Sequence, residues 1–312
     1  MTGQDGSYLA ELLLTKEYEV HGLIRRTALY PESLKNIEHI KDKVQLHFGD
    51  LDYENNLSAL IAELHPDEIY NLASQSDVRV SFDIPEYTGN VTGLGVLRIL
   101  EAIRKFSPKS SFYQAGSSEM FGNSPPPQNE DTPMHPVSPY GVAKLYGDWI
   151  TKSYRQNYNL FCANGILFNH ESERRGLNFV TRKITRAVGQ IIQGEDVQLY
   201  LGNLDAKRDW GYAPDYVEAM WLMLQHQEPD DFVIGTGETH SVQEFLELAF
   251  DYVGIDWQKY VQIDPNLFRP SDVHCLQADA SKAKEILNWQ PKTSFKELVG
   301  KMVDYDIIEA RR

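Results

Sequence analysis

Four residues in two short stretches have the side chains needed for acid–base chemistry. Ser117 and Glu119 supply a hydroxyl and a carboxylate, and Tyr140 and Lys144 supply a phenol and an ammonium. Because Tyr140 and Lys144 are four positions apart, a helix would place both on one face. A cation beside the phenol lowers its pKa toward neutrality, where a general base is effective. The spacing predicts a tyrosine base tuned by lysine, although in a chain with 17 tyrosines a solvated pair of neighbours is the alternative.

The surrounding sequence predicts elements that would position these side chains. Residues 110–115 are predicted as a strand, and Ser117 and Glu119 follow where it ends, which is where ligands bind in open α/β sheets. Strands alternating with helices predict an α/β, Rossmann-like fold with a doubly wound parallel sheet and a smaller C-terminal substrate lobe. The other predicted strands of the sheet are 19–24, 44–48, 68–72 and 161–168, and the helices between them are 57–64, 88–105 and 138–158.

Composition argues against several other classes of protein. The 312 residues carry a formal net charge of −15, which opposes general binding to nucleic acid or to an anionic membrane. No run of about 18 apolar residues and no charged-then-apolar leader is present, so we expect a soluble, cytoplasmic protein. Cys162 and Cys275 form no C-x-x-C pair, which favours buried thiols over a disulfide framework or a structural zinc site.

The start of the chain has part of a phosphate-binding pattern. Gly3 and Gly6 precede an apolar helical run, so a pyrophosphate could approach backbone N–H groups at a helix N-terminus. A simple turn before a helix explains two glycines nearly as well. The buried first strand and the further glycine that usually come before this pattern are missing from the sequence. We therefore expect the native protein to begin upstream of Met1.

Two arginines follow the first predicted strand. In dinucleotide-binding folds an acid at this position binds the ribose of NAD, whereas arginine accommodates the 2′-phosphate of NADP. Arg25 and Arg26 therefore favour NADP, with a solvated basic turn as the alternative. Asp50, Leu51 and residues 72–76 end the next two strands and are candidates for contact with the adenine and the middle of the cofactor.

A second group of cations follows the strand predicted at 161–168. Guanidinium groups suit diphosphate oxygens, and a solvated helix flank is the alternative. The group consists of Arg174, Arg175, Arg182, Lys183 and Arg186. The preceding run His170-Glu171-Ser172-Glu173-Arg174 departs from the zinc motif H-E-x-x-H at its last position, so we predict no metal site there.

Several segments together resemble the extended short-chain dehydrogenase/reductase family and, within it, the GDP-mannose 4,6-dehydratases. The resemblance covers nearly the whole chain. Its most specific segments are Asn169-His170-Glu171-Ser172 and Arg208-Asp209-Trp210-Gly211. Less specific segments lie at 2–9, 25–26, 49–51, 66–72, 138–140 and 179–184.

The resemblance implies a set of site residues. The implied catalytic residues are Ser117, Glu119, Tyr140 and Lys144, and Ser117 stands where the family usually has threonine. For NADP the resemblance implies Thr2, Gly3, Gln4, Asp5, Arg25, Arg26, Asp50, Leu51, Leu72, Ala73, Ser74, Gln75, Ser76, Tyr87, Tyr140, Lys144, His170 and Arg175. For GDP-mannose it implies Asn169, Lys183, Arg208 and Arg269.

The resemblance also implies the reaction. Such an enzyme oxidises C4 of the mannose, eliminates water across C5 and C6, and returns the hydride to C6. Tyr140 would be the base at the 4-hydroxyl, Ser117 would hydrogen-bond the C4 oxygen, and Glu119 would carry the elimination. Two alternatives stay open. A sugar-nucleotide 4-epimerase or 4-reductase needs the tyrosine but not Glu119, and a non-catalytic NADP-binding regulator does not need the four catalytic residues together.

The same resemblance implies an organisation in two parts. Residues 1–168, joined by part of 209–236, would form the NADP-binding domain, and 169–208 with 237–312 would form the substrate-binding lobe. The family forms dimers and tetramers, so we expect a homodimer or homotetramer that binds GDP-mannose and has neither a nucleic-acid nor a membrane partner.

Overall fold

The chain folds as an α/β protein whose main strands are parallel. The computed structural model describes residues 1–25, 27, 30–52, 54–269 and 271–311. The strands are β1 His21–Ile24, β2 Gln45–Phe48, β3 Glu68–Asn71, β4 Ser111–Ala115, β5 Cys162–Leu167, β6 Asn169–Glu171, β7 Leu199–Leu201, β8 Lys207–Arg208, β9 Trp210–Tyr212, β10 Asp231–Ile234, β11 His240–Ser241 and β12 Val261–Ile263.

The helices alternate with these strands along the chain. They are α1 Gln4–Thr15, α2 Glu54–Leu64, α3 Val78–Asp83, α4 Pro85–Thr88, α5 Gly95–Phe106, α6 Pro139–Tyr158, α7 Val180–Ile192, α8 Ala213–Gln225, α9 Val242–Asp251, α10 Ser281–Leu287 and α11 Phe295–Glu309. A 3₁₀ helix at Glu32–Lys43 and a π-helical turn at Gly89–Leu94 complete the larger elements. None of the described helices is long and apolar enough to cross a membrane.

Strands β1 to β5 and β10 form two separate parallel sheets. One contains β1 and β2, and the other has the order β10-β5-β4-β3. All of these pairings are parallel, with Ile69 opposite Phe112 and Tyr113 opposite Ala163. Within the described residues α1 is the first element, and no strand precedes it. The predicted doubly wound parallel α/β fold is confirmed, with a break between β1 and β3.

Helices cover both faces of the four-stranded sheet because its side chains alternate between two apolar cores. Tyr113 and Ala163 face a core that α1 and α8 complete, whereas Phe112 and Cys162 face a core that α2, α5 and α6 complete. All four of these residues are fully buried. Each large side chain buried in this way contributes roughly 1.5–3 kcal/mol to the stability of the fold. These cores hold the carboxyl ends of β4 and β5 in place.

A separate core lies in the C-terminal part of the chain. It is built from α7, α9 and α11, with β7 and Trp210 packed against them. Arg182 of α7 is buried here and forms a forked ion pair with Asp306 of α11, with Nε–Oδ2 at 2.8 Å. By contrast, α10 packs against α8 and β10, beside the main sheet.

One long predicted helix has a different geometry. Residues 88–105 were expected to be regular, but Gly89–Leu94 form a π-helical turn before α5 begins at Gly95. The turn places Thr92 where its Oγ1 accepts a hydrogen bond from the backbone N–H of Gln75 at 3.1 Å. It therefore fastens the helix to the loop after β3, and such local widening is frequent at functional sites.

Candidate active site

The four predicted catalytic residues border one cavity at the carboxyl end of β4. The cavity has a volume of about 1510 Å³. Ser117 caps the short 3₁₀ turn that follows β4, and its Oγ accepts a hydrogen bond from the N–H of Glu119 at 3.3 Å. Tyr140 and Lys144 lie on the first turns of α6, which begins sharply because the Ser138 side chain accepts from the N–H of Gly141. All four side chains are buried.

The expected tuning of the phenol by lysine is not found. Burial and the charge of Glu119 raise the pKa of Tyr140 to about 12, opposed by a hydrogen bond from Ser117. The Nζ of Lys144 donates to the carbonyl of Ala115 at 2.7 Å and lies 5.8 Å from the centre of the tyrosine ring. Burial lowers the pKa of Lys144 itself to about 8. The prediction was wrong for the isolated chain because the ammonium binds a backbone carbonyl instead of the phenol.

Glu119 belongs to a network of two carboxylates and two arginines. Its Oε1 lies 3.6 Å from Nη1 of Arg269 and 3.9 Å from Nη2 of Arg208. Asp272 lies closer to both, at 3.0 Å from Arg208 and 3.4 Å from Arg269. Arg208 is further fixed because its Nη1 donates to the carbonyls of Lys207 and Val273. The sequence reasoning missed Asp272, whose only signal is its place three residues after Arg269.

The N-terminus of α1 opens into the same cavity. Thr2, Gly3, Gln4 and Asp5 all border it. Gly3 is the residue before the helix, and a Cβ added there would meet no atom within 4 Å, so its backbone faces open space. The carbonyl of Thr2 accepts a hydrogen bond from Asn36 at 3.1 Å. The free N–H groups of a helix N-terminus and the dipole behind them favour an anion at this position.

Asp5 and His170 connect α1 to β6. Oδ2 of Asp5 lies 3.0 Å from Nε2 of His170, whose Nδ1 lies 2.7 Å from the carbonyl oxygen of Phe168. Burial alone raises the pKa of Asp5, but the charge and hydrogen bond of His170 outweigh it and lower the pKa to about 2. Burial alone lowers the pKa of His170, but Asp5 outweighs it and raises the pKa above the ordinary value. The pair is therefore held as an ion pair in the fold.

The candidate cofactor-binding residues that follow β1 and β2 border the same cavity where the structure describes them. Arg25 borders the cavity, and its Nη1 donates to the hydroxyl of Tyr87 at 2.7 Å. Arg26 lies outside the described residues. Asp50 borders the cavity, and its Oδ1 accepts from the N–H of Leu51 at 2.7 Å. The side chain of Leu51 is in the core, so mainly its backbone is presented to a ligand.

Most residues of the loop after β3 border the cavity. Leu72, Ala73, Ser74 and Ser76 border it. Among the described residues, Gln75 and Tyr87 are predicted contacts that do not border the cavity. The Gln75 side chain donates to the carbonyl of Asp77 and accepts from Thr88, both at 3.1 Å, and this anchors the loop.

The predicted cluster of cations on 174–186 does not act as one group. Arg182 forms an ion pair with the buried Asp306, whereas Arg174 borders the cavity and also forms an ion pair with Glu11 at 2.6 Å. Lys183 and Arg175 do border the cavity, Arg175 with its guanidinium 3.1 Å from Glu171, and Asn169 joins them. Of the five predicted cations, Arg182 therefore holds the fold together, whereas Arg174, Arg175 and Lys183 border the cavity, and their binding to a diphosphate stays a prediction. No cluster of three or more metal-ligating side chains occurs in the part of the chain that the structure describes.

Comparisons with known proteins agree with this arrangement. The family described as GDP-mannose 4,6 dehydratase matches residues 1–302. GDP-mannose 4,6 dehydratase 2 of Arabidopsis thaliana is 55% identical over 100% of this chain and 86% of its own length. The GDP-mannose 4,6 dehydratase of Homo sapiens is 51% identical over 98% of this chain and 90% of its own length.

Solved structures show the same fold at lower identity. A UDP-glucose 4-epimerase from Thermotoga maritima, solved with UDP-glucose, is similar with a TM-score of 0.87 and 24% identity, over 99% of this chain and 97% of that one. A UDP-glucose 4-epimerase from Thermus thermophilus, solved with NAD, has a TM-score of 0.85 and 26% identity, over 98% of this chain and 96% of that one. The match to the family over residues 1–302 and the two relatives at 55% and 51% identity show that the chain belongs to the GDP-mannose 4,6-dehydratase family.

Proposed function

We propose that this protein dehydrates GDP-mannose to GDP-4-keto-6-deoxymannose with NADP as a bound cofactor. One observation carries the proposal. A buried carboxylate (Glu119), a buried phenol (Tyr140) and two arginines (Arg208 and Arg269) border a single cavity. The first two supply the acid–base groups, and the arginines suit the diphosphate of a sugar nucleotide. The names of the relatives support the choice of substrate.

The residues present fit a dinucleotide. Gly3 exposes its backbone at the N-terminus of α1, where a pyrophosphate is favoured, and Asp50 and Ser74 lie at the ends of the next strands. Arg25 is a suitable partner for a 2′-phosphate, which favours NADP over NAD. When bound, a nicotinamide cofactor would accept a hydride from C4 and return it to C6, and C5 would then take up one proton, which balances the proton lost from the 4-hydroxyl.

Tyr140 acts on the 4-hydroxyl in this proposal, and Ser117 assists Tyr140. Tyr140 takes the hydroxyl proton while Ser117 donates to the phenol oxygen, the direction in which its hydrogen bond lowers the pKa of Tyr140. In the isolated chain the pKa of Tyr140 is raised to about 12, so a further positive charge must favour the phenolate. Lys144 keeps α6 against β4 through the Ala115 carbonyl and supplies a cation one helical turn away.

Glu119 carries the elimination. Oxidation at C4 leaves a ketone that acidifies the C5 hydrogen, and the Glu119 carboxylate removes that proton. The protonated acid then donates to the 6-hydroxyl, so that the C6–O bond breaks and water leaves. Arg208 and Arg269, with Asn169 and Lys183, would hold the nucleotide and so fix the distance from Glu119 to C5 and C6.

The two alternative functions fit the residues of this site less well. A 4-epimerase or 4-reductase needs Tyr140 but no acid that eliminates water, whereas Glu119 is buried next to Ser117 and faces the arginines. A non-catalytic regulator would not need the four catalytic groups together on one cavity wall.

A product assay separates these functions. Purified protein is incubated with GDP-mannose and a catalytic amount of NADP. A 4-keto-6-deoxy product without accumulated NADPH supports dehydration. A sugar with C4 inverted would indicate epimerisation, and an unchanged sugar with bound NADP would indicate regulation.

We also propose the division of labour between the two parts of the chain. Residues 1–168 with part of 209–236 would bind NADP, and 169–208 with 237–312 would bind the sugar nucleotide, except that α10 packs beside the main sheet with the first part. The separate apolar core of α7, α9 and α11 supports a distinct lobe. Limited proteolysis with and without GDP should protect cleavage sites in the second part only.

A homo-oligomer is further proposed, with α6 at its contact. Val142, Tyr146 and Trp149 follow a helical spacing and are 55%, 40% and 61% exposed. Large apolar side chains aligned on one face of a helix are typical of an interface. Light scattering of Trp149→Glu should report a smaller particle than the wild type. We place the enzyme in the cytoplasm, a choice supported by its two unpaired thiols, Cys162 and Cys275.

A further inference from the structure

Two loops on the cofactor side of the cavity are fastened to one helical turn. The first contains Asp50 and Leu51 and follows β2, and the second is 72–76 and follows β3. The turn is the π-helical turn Gly89–Leu94, which comes directly before α5. Such turns accommodate an extra residue within a helix and are frequent at functional sites. Its contacts show how the two loops are held.

Thr92 of the π-helical turn holds the loop after β3. Its side chain is buried, and its Oγ1 accepts a hydrogen bond from the N–H of Gln75 at 3.1 Å. The same oxygen lies 3.3 Å from the hydroxyl oxygen of Ser74. Loss of a buried hydroxyl leaves its partners without a hydrogen bond, which is costly. Thr92 therefore fixes both the backbone and a side chain of this loop.

Arg98, on the first turn of α5, holds the loop after β2. Its Nη1 donates to the carbonyl of Leu51 at 2.7 Å and to the carbonyl of Asn90 at 3.1 Å. Its Nη2 donates to Oδ1 of Asn90 at 2.6 Å. A guanidinium presents its donors in a rigid plane, so it can hold two separate segments in one geometry. Arg98 thus clamps the backbone of Leu51 to the π-helical turn.

Close packing leaves both attachments little freedom. A Cβ added to Gly95 would come within 2.9 Å of the Cβ of Leu51, so the loop after β2 lies directly against the start of α5. A Cβ added to Gly93 would lie 3.4 Å from the carbonyl oxygen of Ala143, so the π-helical turn also rests on α6. Because α6 carries Tyr140, the turn connects the two loops to the helix of the proposed base.

We propose that Thr92 and Arg98 are positioning residues for the cofactor, each acting through one loop. The inference rests on the proposed function, in which these loops bind NADP. Neither residue is among the described residues that border the cavity, so each acts through the loop that it holds. A loop that leaves its binding shape for part of the time lowers the apparent affinity by the fraction lost.

The two attachments predict different losses for different parts of the cofactor. Adenosine 2′,5′-bisphosphate has the adenine and the 2′-phosphate, but it lacks the second half of the dinucleotide. Its binding should depend on the loop held by Arg98 and hardly on the loop held by Thr92. Binding of GDP-mannose should depend on neither loop. A general loss of folding would instead weaken the binding of all three ligands.

The test measures equilibrium binding of NADP, adenosine 2′,5′-bisphosphate and GDP-mannose to the full chain by calorimetry. Arg98→Met should weaken NADP and the bisphosphate to a similar extent, at least roughly fivefold, because a charge-assisted clamp is lost. Thr92→Val should weaken NADP about 3–10-fold and the bisphosphate less than about twofold. Both variants should bind GDP-mannose as the wild type does. In turnover, their KM for NADP should rise while kcat at saturating NADP stays near the wild-type value.

Two control variants separate positioning from a general effect of substitution. Thr92→Ser keeps the hydroxyl and should bind NADP within about twofold of the wild type. Arg104→Met removes another arginine of α5, whose partner is Glu101 of the same helix at 2.8 Å, and should leave the binding of all three ligands unchanged.

Two results would overturn the positioning roles while leaving the proposed function in place. One is unchanged NADP affinity in both Thr92→Val and Arg98→Met, and the other is an equal loss for all three ligands in both. A wild-type chain that bound GDP-mannose but neither NADP nor the bisphosphate would overturn the proposed cofactor itself, and the positioning roles with it.

Discussion

Nη1 of Arg269 lies 3.6 Å from Oε1 of Glu119, the carboxylate to which we assign the elimination of water. Arg208 approaches the same oxygen, and Asp272 contacts both arginines. The group proposed to act on the hexose and the groups proposed to hold the diphosphate therefore form one network. A substitution at one end is expected to change binding and turnover to different degrees.

Arg269→Lys is expected to raise the KM for GDP-mannose about tenfold and to lower kcat far less. Lysine keeps the charge, but it lacks the planar fork that binds two phosphate oxygens together. Steady-state kinetics provide the measurement. Lys207→Ala, which removes a neighbouring exposed cation, is the matched control and should behave like the wild type. A loss confined to kcat in Arg269→Lys would place this arginine outside the diphosphate site.

Ser117→Ala should move the rising limb of the kcat–pH profile to higher pH by roughly one unit. The Ser117 hydroxyl lowers the pKa of Tyr140, so its removal raises the pKa of the proposed base further. Ser117→Thr keeps the hydroxyl and should retain the wild-type profile. If the alanine variant showed an unmoved limb, Tyr140 would not be the group that titrates in turnover.

The Asp5–His170 pair makes the free energy of unfolding depend on pH, and the direction follows from the two pKa shifts. The pKa of His170 is raised in the fold. Its contribution to the free energy of unfolding is therefore complete below the ordinary pKa of about 6.5, and this contribution is lost as pH rises through the raised pKa. The pKa of Asp5 is lowered, so its contribution is lost only as pH falls toward about 2. Urea unfolding should therefore show a smaller difference between wild type and His170→Gln at pH 9 than at pH 6. A difference that grows with pH would contradict this assignment.

Asp306→Ala should lower the free energy of unfolding by about 3–5 kcal/mol, because it leaves the buried Arg182 guanidinium without its counter-charge. Replacing both partners, as in Arg182→Met with Asp306→Leu, should recover most of this loss. Urea denaturation of the single and double variants measures both effects. If the double variant were as unstable as the single one, packing and not charge would explain the cost.

The sequence predicted the sheet because each strand is a short apolar run with its own boundary signals. Cys162–Leu167, for example, is buried throughout, and α6 begins at Pro139, directly after its N-cap Ser138, which is the residue pair typical of a helix start. The small strands β6 to β9 were not predicted, because two or three residues show no recognisable period. Their positions depend on contacts that form only in the folded chain.

Side-chain partners were less predictable than side-chain positions. The spacing of Tyr140 and Lys144 correctly predicted a shared helix, yet the ammonium is satisfied by the Ala115 carbonyl, which belongs to a distant strand. Arg182 was grouped with ligand-binding cations, but its partner Asp306 lies more than a hundred residues later. Pairings of this kind are decided by tertiary packing and are absent from local patterns.

Turnover of Glu119→Gln tests the central claim most directly. The amide keeps the size of the side chain but cannot take the C5 proton, so the 4-keto-6-deoxy product should form at least roughly 100-fold more slowly. Oxidation at C4 does not need Glu119, so the variant should still bind GDP-mannose and accumulate NADPH, which the wild type should not. Formation of the product at the wild-type rate, with no build-up of NADPH, would contradict the mechanism.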